Sequence, residues 1–191
     1  MSETKNIIIV GVGGQGTLLA SKLMGKVFAD EGFDVKVSEV HGMSQRGGSV
    51  ITYVRYGEKV WSPLVEKGEA DILLSFEELE AARWLPFLKT NGVVITSTQN
   101  IDPMPVIMGT AKYPESITEK LKAKLDNVVA VDAKSLAVEA GSIKATNCVL
   151  LGVCAKFLGI NKEIWLDAIR ATVPAKTIEI NEKAFTLGYN A

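Results

Sequence analysis

Chemistry that needs clustered histidines or cysteines finds little to work with in this chain, which has one histidine, His41, and two cysteines, Cys148 and Cys154, in 191 residues. A single histidine excludes a multi-histidine metal site and leaves His41 as a candidate for proton transfer or hydrogen bonding. The cysteines stand six positions apart inside an apolar segment, a spacing that suits neither a zinc pair nor a redox pair and fits buried helix residues. A disulfide-free, cytoplasmic protein is expected. Residues 1–6 lead into the first apolar run without the basic stretch and hydrophobic segment of a signal peptide, so export is not expected. The longest weakly polar run, residues 146–160, contains Lys156 and falls short of the roughly 20 residues a membrane span needs, so it reads as a core helix. A formal net charge of -1 gives no electrostatic reason to bind nucleic acid. No repeat, low-complexity tract or linker divides the chain, and residues 1–191 are read as one domain.

What is present is an alternation of short β-branched runs and helical periodicities. Residues 7–10 form an apolar run ending in glycines, the pattern of a strand buried on both faces. From Gly14 to about Glu31, Leu18, Leu19, Leu23, Met24, Val27 and Phe28 recur at helical spacing, and Gly32 stops the helix. Residues 34–40 and 49–56 alternate as two further strands, with no room for a crossover helix between them. Strands at 70–76, 92–97 and 127–132, helices at 77–88 and 115–125, and a loop at 100–105 follow. Beyond about Ser135 the chain reads as helical, broken near Gly141, Gly159 and Pro174, with Phe157 and Trp165 as core residues. The fold class is α/β: a Rossmann-like, mostly parallel sheet with flanking helices and a helical C-terminal segment.

Two glycine-rich turns carry the candidate chemistry. In Gly11-Val-Gly-Gly-Gln-Gly16, Gly11, Gly13 and Gly16 have the G-x-G-x-x-G spacing. The N–H groups and helix dipole at Gly14, Gln15, Gly16 and Thr17 favour an anion. The alternative is that the glycines only permit close helix–strand packing. The second turn, His41-Gly-Met-Ser-Gln-Arg-Gly-Gly48, offers hydroxyl, amide and guanidinium donors from Ser44, Gln45 and Arg46, and backbone approach at Gly47 and Gly48. Glu39 stands near the place where a nicotinamide enzyme holds a ribose, although a glycine turn rather than a crossover helix follows it. Its carboxylate is a candidate partner for His41 or Arg46. Glu77 follows a predicted parallel strand and is placed to face the same crevice, or else serves only the dipole of its helix.

These motifs, together with Ser38-Glu-Val-His-Gly-Met-Ser-Gln-Arg-Gly-Gly-Ser-Val50, Ala70-Asp-Ile-Leu-Leu-Ser-Phe-Glu77 and Asn181-Glu-Lys-Ala-Phe185, resemble the gamma subunit or domain of 2-oxoacid:ferredoxin oxidoreductases. That family, which covers pyruvate/ketoisovalerate gamma-type domains, includes the small beta subunit of indolepyruvate ferredoxin oxidoreductase. The resemblance spans nearly the whole chain. It implies oxidative decarboxylation of a 2-oxoacid to an acyl-coenzyme A, with electrons passed to ferredoxin. The chain has neither a cysteine array for an iron–sulfur cluster nor a recognisable thiamine diphosphate–magnesium segment. The resemblance therefore implies that thiamine diphosphate, magnesium and the clusters lie on large partner subunits. This chain would hold no cofactor of its own, have no activity alone, and add a docking surface and part of a coenzyme A or substrate-side pocket. Two other readings stand beside it, a self-sufficient NAD(P)-binding oxidoreductase and a nucleotide-binding or scaffold module.

Overall fold

The short connection between the second and third strands decides the topology. With no crossover helix, the chain must return antiparallel. The computed structural model, which describes residues 4–41 and 48–191, shows the returning strand inserted between the first two. In chain order the elements are β1 (Lys5–Val12), α1 (Thr17–Asp30), β2 (Asp34–His41), β3 (Ser49–Gly57), β4 (Ala70–Ser75), α2 (Glu78–Trp84), β5 (Leu88–Ser97), α3 (Met104–Ile107), α4 (Ile117–Lys124), β6 (Val128–Val131), α5 (Ala133–Ala140), α6 (Thr146–Ala155), α7 (Lys162–Thr172) and α8 (Ile178–Asn190). The sheet order is β2-β3-β1-β4-β5-β6. Only β3 runs against the others, pairing antiparallel with β1 and with β2, while β1, β4, β5 and β6 pair in parallel.

Alternation along β1 separates two cores. Ile7 and Ile9 pack on one face with α1 and α5 to α8, and Ile8 and Val10 on the other with Ala81, Ile117 and Leu121 of α2 and α4. On α1, Leu23, Met24, Val27 and Phe28 are at most 1% exposed. Burying four such side chains contributes about 6–12 kcal/mol before conformational entropy is set against it. Phe28 stacks on Tyr56 at 3.8 Å between ring centroids and meets Trp165 edge-on at 6.0 Å. The helix ends as its sequence implies: with Gly32 at φ +85°, the N–H of Gly32 bonds Ala29 O and that of Phe33 bonds Phe28 O, both at 3.0 Å. This paired motif satisfies carbonyls that the helix leaves open. α6 is buried from Asn147 through Ala155, which makes it the central helix of its layer.

Three local expectations need correction. The helix expected over 77–88 ends at Trp84 and the next strand begins at Leu88 instead of residue 92. Pro86 lacks the N–H that would continue the helix, so Leu85–Phe87 tightens into a 3₁₀ turn. The loop at 100–105 contains the start of α3, where Pro103 and Pro105 pre-set the backbone of a first turn. Phe157, expected in the core, is 45% exposed, because α6 ends at Ala155 and the turn after it carries the ring past the buried layer. Trp165 is fully buried, as expected.

Candidate functional site

The first glycine turn closes on itself through one side chain. Gln15 N–H bonds Val12 O at 3.2 Å, closing the turn, and Gln15 Oε1 accepts the Val12 N–H at 2.7 Å. The other end of the carboxamide crosses the sheet: Nε2 donates to Phe76 O at 3.0 Å and to Gln99 Oε1 at 3.4 Å. β1 and β4 are parallel neighbours whose following helices, α1 and α2, pack on opposite faces. That arrangement is the topological switch point at which open α/β sheets receive ligands, and here Gln15 occupies it. A Cβ on Gly11 would lie 2.7 Å from Gln15 Oε1, and one on Gly16 would lie 2.8 Å from Asn147 Nδ2. Gly16 also stands at φ +88°, a conformation in which side chains are strained. Two of the three fingerprint glycines are thus required by carboxamides of this chain.

Space for a ligand lies on either side of the turn. A cleft of about 380 Å³ is walled by Gly13, Gly14, Gly16, Thr17, Leu18, Glu39 and Val50. A second, of about 400 Å³, is walled by Gly14, Gln15, Gly16, Gln99, Ile143, Lys144 and Thr146. Both open onto the N-terminus of α1, which has no side-chain cap and no acidic residue in its first turn. The first N–H groups of a helix have no intrahelical partner, and with the helix dipole they attract negative charge. Glu39 lines the first cleft and Lys144 the second. Leu18, 49% exposed, stands beside the first.

The two glycine turns meet where the structure describes both, since Gly13 N–H bonds Gly48 O at 2.9 Å and β1 and β3 pair as far as Val12 and Ser49. Ser44, Gln45, Arg46, Gly47 and the side chain of His41 lie outside the described residues. Glu39 accepts from Thr52 Oγ1 at 3.3 Å across the β2–β3 pair. Because β3 intervenes, β2 lies two strand spacings, about 9–10 Å, from β1. An ordinary dinucleotide fold sets its ribose-binding acid on the adjacent strand, so this topology disfavours a self-sufficient nicotinamide site.

Glu77 is 1% exposed, and its carboxylate is taken up internally. Oε2 accepts the Glu80 N–H at 2.8 Å, capping α2, while Oε1 accepts the Ile101 N–H at 3.2 Å and the Tyr113 hydroxyl. Burial pushes the Tyr113 phenol well above its usual range, and the Glu77 carboxylate adds to the effect. Glu77 therefore pins the segment after β5 to the start of α2. Sequence reasoning missed Gln99, Asn147 and Lys144. Asn147, 4% exposed, donates to Gly16 O at 3.4 Å and was visible only as a polar residue within an apolar helix. Asn181, part of the motif at 181–185, accepts from the Cys148 thiol at 3.1 Å and donates to Thr177 O at 2.7 Å, a structural role.

The model of the family "Pyruvate ferredoxin/flavodoxin oxidoreductase" matches residues 6–191. The chain is 47% identical to indolepyruvate oxidoreductase subunit IorB of Thermococcus kodakarensis, over 97% of this chain and 95% of that one. Its fold is that of the keto/oxoacid ferredoxin oxidoreductase gamma subunit from Geobacter sulfurreducens, with a TM-score of 0.72 at 24% identity over 97% of this chain and 96% of that one. It also superposes, at a TM-score of 0.74 and 17% identity, on a 2-oxoglutarate:ferredoxin oxidoreductase from Magnetococcus marinus solved with 2-oxoglutarate, coenzyme A and succinyl-CoA bound, covering 100% of this chain and 31% of that longer one. With a family match running nearly end to end and a relative 47% identical over 95% of its own length, the chain belongs to the pyruvate ferredoxin/flavodoxin oxidoreductase family.

Proposed function

We propose that this chain is the non-redox subunit of a complex that oxidatively decarboxylates a 2-oxoacid to an acyl-coenzyme A, and that the clefts flanking the first glycine turn take part of coenzyme A. The observation that carries the site is the uncapped N-terminus of α1 opening onto both clefts. The Magnetococcus enzyme, solved with coenzyme A bound, supports the choice of ligand. Lys144 suggests an orientation: phosphates are favoured beside its ammonium, and the uncharged part of the co-substrate on the other side of the turn, beside Leu18. Arg46, with its planar fork, is proposed as a further contact to phosphate or to a carboxylate of the partner. Indolepyruvate, in the name of the Thermococcus relative, is the 2-oxoacid to assay first.

The residues described do not fit the redox groups. Cys148 and Cys154 are fully buried in α6, and burial pushes both thiols up to about 12, so neither offers a thiolate to an iron–sulfur cluster. Among the described residues no group of three His, Cys, Asp or Glu side chains is placed to hold a metal ion. Carbanion formation on thiamine diphosphate and electron transfer to ferredoxin are accordingly proposed for large partner subunits. To this chain falls the binding and orienting of the co-substrate.

The test uses Leu18→Asp and Lys144→Glu in the assembled complex. Aspartate in the first turn of α1 suits the helix dipole, so the fold is expected to keep its melting temperature; there it removes apolar contact from the side proposed for the uncharged part of coenzyme A, while glutamate at position 144 repels phosphate. Each variant should raise the apparent KM for coenzyme A about tenfold, equivalent to about 1.4 kcal/mol, with Lys144→Glu the larger. Wild-type KM in both would sink the coenzyme A reading. Weakened assembly with unchanged KM would assign the turn to contact with the partner.

A further inference from the structure

We propose that Gln15 is a positioning residue for the co-substrate: its carboxamide holds the glycine turn against the ends of β4 and β5 and so sets the direction of the turn's N–H groups toward the two clefts. The inference rests on the coenzyme A reading above. The orientation of the amide is determined by its partners. Val12 N–H can only donate and Phe76 C=O can only accept, so Oε1 must face the first and Nε2 the second. Both Nε2 hydrogens are engaged, one by Phe76 O and one by Gln99 Oε1, which leaves that nitrogen no hydrogen for a ligand.

Beside Gln15, two backbone bonds join these segments, Phe76 N–H to Val10 O at 2.9 Å and Glu78 N–H to Gln99 O at 3.2 Å, and neither holds the turn itself. Without the carboxamide, Val12 N–H and Phe76 O would each need a new partner, and the turn would be free to move relative to β4. Gly11 belongs to the same device, since any Cβ there would displace Oε1 from 2.7 Å. The switch point is thus closed by the chain itself, and a ligand must approach over the outer face of the turn.

Gln15→Met keeps the length of the side chain and removes both hydrogen-bonding ends. Gly11→Ala leaves the glutamine in place and displaces its oxygen. In the assembled complex, at saturating 2-oxoacid and electron acceptor, both variants should raise the apparent KM for coenzyme A at least fivefold. The KM for the 2-oxoacid and the affinity for the partner should stay within twofold of wild type. A merely structural role would lower melting temperature or assembly without separating the two KM values. Wild-type KM for coenzyme A in Gln15→Met, in a complex where Lys144→Glu raises it, overturns the role of Gln15 and leaves the coenzyme A reading standing. Wild-type KM in Lys144→Glu and Leu18→Asp removes that reading itself. Failure of both Gln15→Met and Gly11→Ala to assemble would make the amide a folding residue and equally overturn the proposal.

Discussion

At Glu77 a residue's position in the sequence suggests one role and its surroundings another. A carboxylate just after a parallel strand is placed, by topology alone, to face a ligand crevice. In the fold it accepts from the Glu80 and Ile101 N–H groups and from the Tyr113 hydroxyl. Glu77→Ala removes a helix cap, worth about 0.5–2 kcal/mol, and leaves two part-buried donors without an acceptor, each at about 1–3 kcal/mol if it remains dry. We expect a loss of about 2–4 kcal/mol by denaturant titration, with Glu77→Gln losing less because its amide oxygen still accepts. If Glu77 instead touched the co-substrate, stability would hold and the KM for coenzyme A would change. Gln15 shows the opposite case. Its place in the fingerprint marked it as a site residue, but its partners Phe76 and Gln99 lie 61 and 84 positions away, beyond any local pattern.

Among elements, α6 and α8 are held closest. A Cβ on Gly188 would lie 1.9 Å from Val149 O, and one on Gly152 would lie 2.1 Å from Phe185 O, so each helix presents a glycine to the backbone of the other. Helix propensity favours alanine over glycine by about 1 kcal/mol. Overpacking against a backbone carbonyl costs about 3 kcal/mol or more when the helices must separate. Gly188→Ala should therefore destabilise the chain in spite of its better propensity, by a net 2 kcal/mol or so in chemical denaturation. A stabilised variant would show that the helices separate freely. The sequence shows α6 as an apolar run and α8 only as part of a helical segment, and nothing in either reveals which glycine faces a neighbour. The breaks at Gly141, Gly159 and Pro174, by contrast, were legible, because a helix end depends on residues within one turn of it.

For the whole molecule, the proposed division of labour predicts that the purified chain oxidises no 2-oxoacid and that mixing with its large partner restores turnover. Dye or ferredoxin reduction by metal-free, thiamine-free chain alone would rule the division out. Among the described residues no helix is long and apolar enough to cross a membrane, in line with the short runs of the sequence. Alternation and helical spacing determined that the chain forms an α/β sheet with a helical C-terminal layer, since a strand or helix face is written in residues two to four positions apart. The missing crossover between residues 41 and 49 likewise foretold a departure from the dinucleotide fold. Only the tertiary structure decided that β3 would separate β2 from β1, carrying Glu39 two strands from the glycine turn, and that Asn147, 131 positions away, would pack on Gly16. Strand order and the partners of a buried amide are set by long-range pairing, where each contact depends on how the rest of the sheet has already closed.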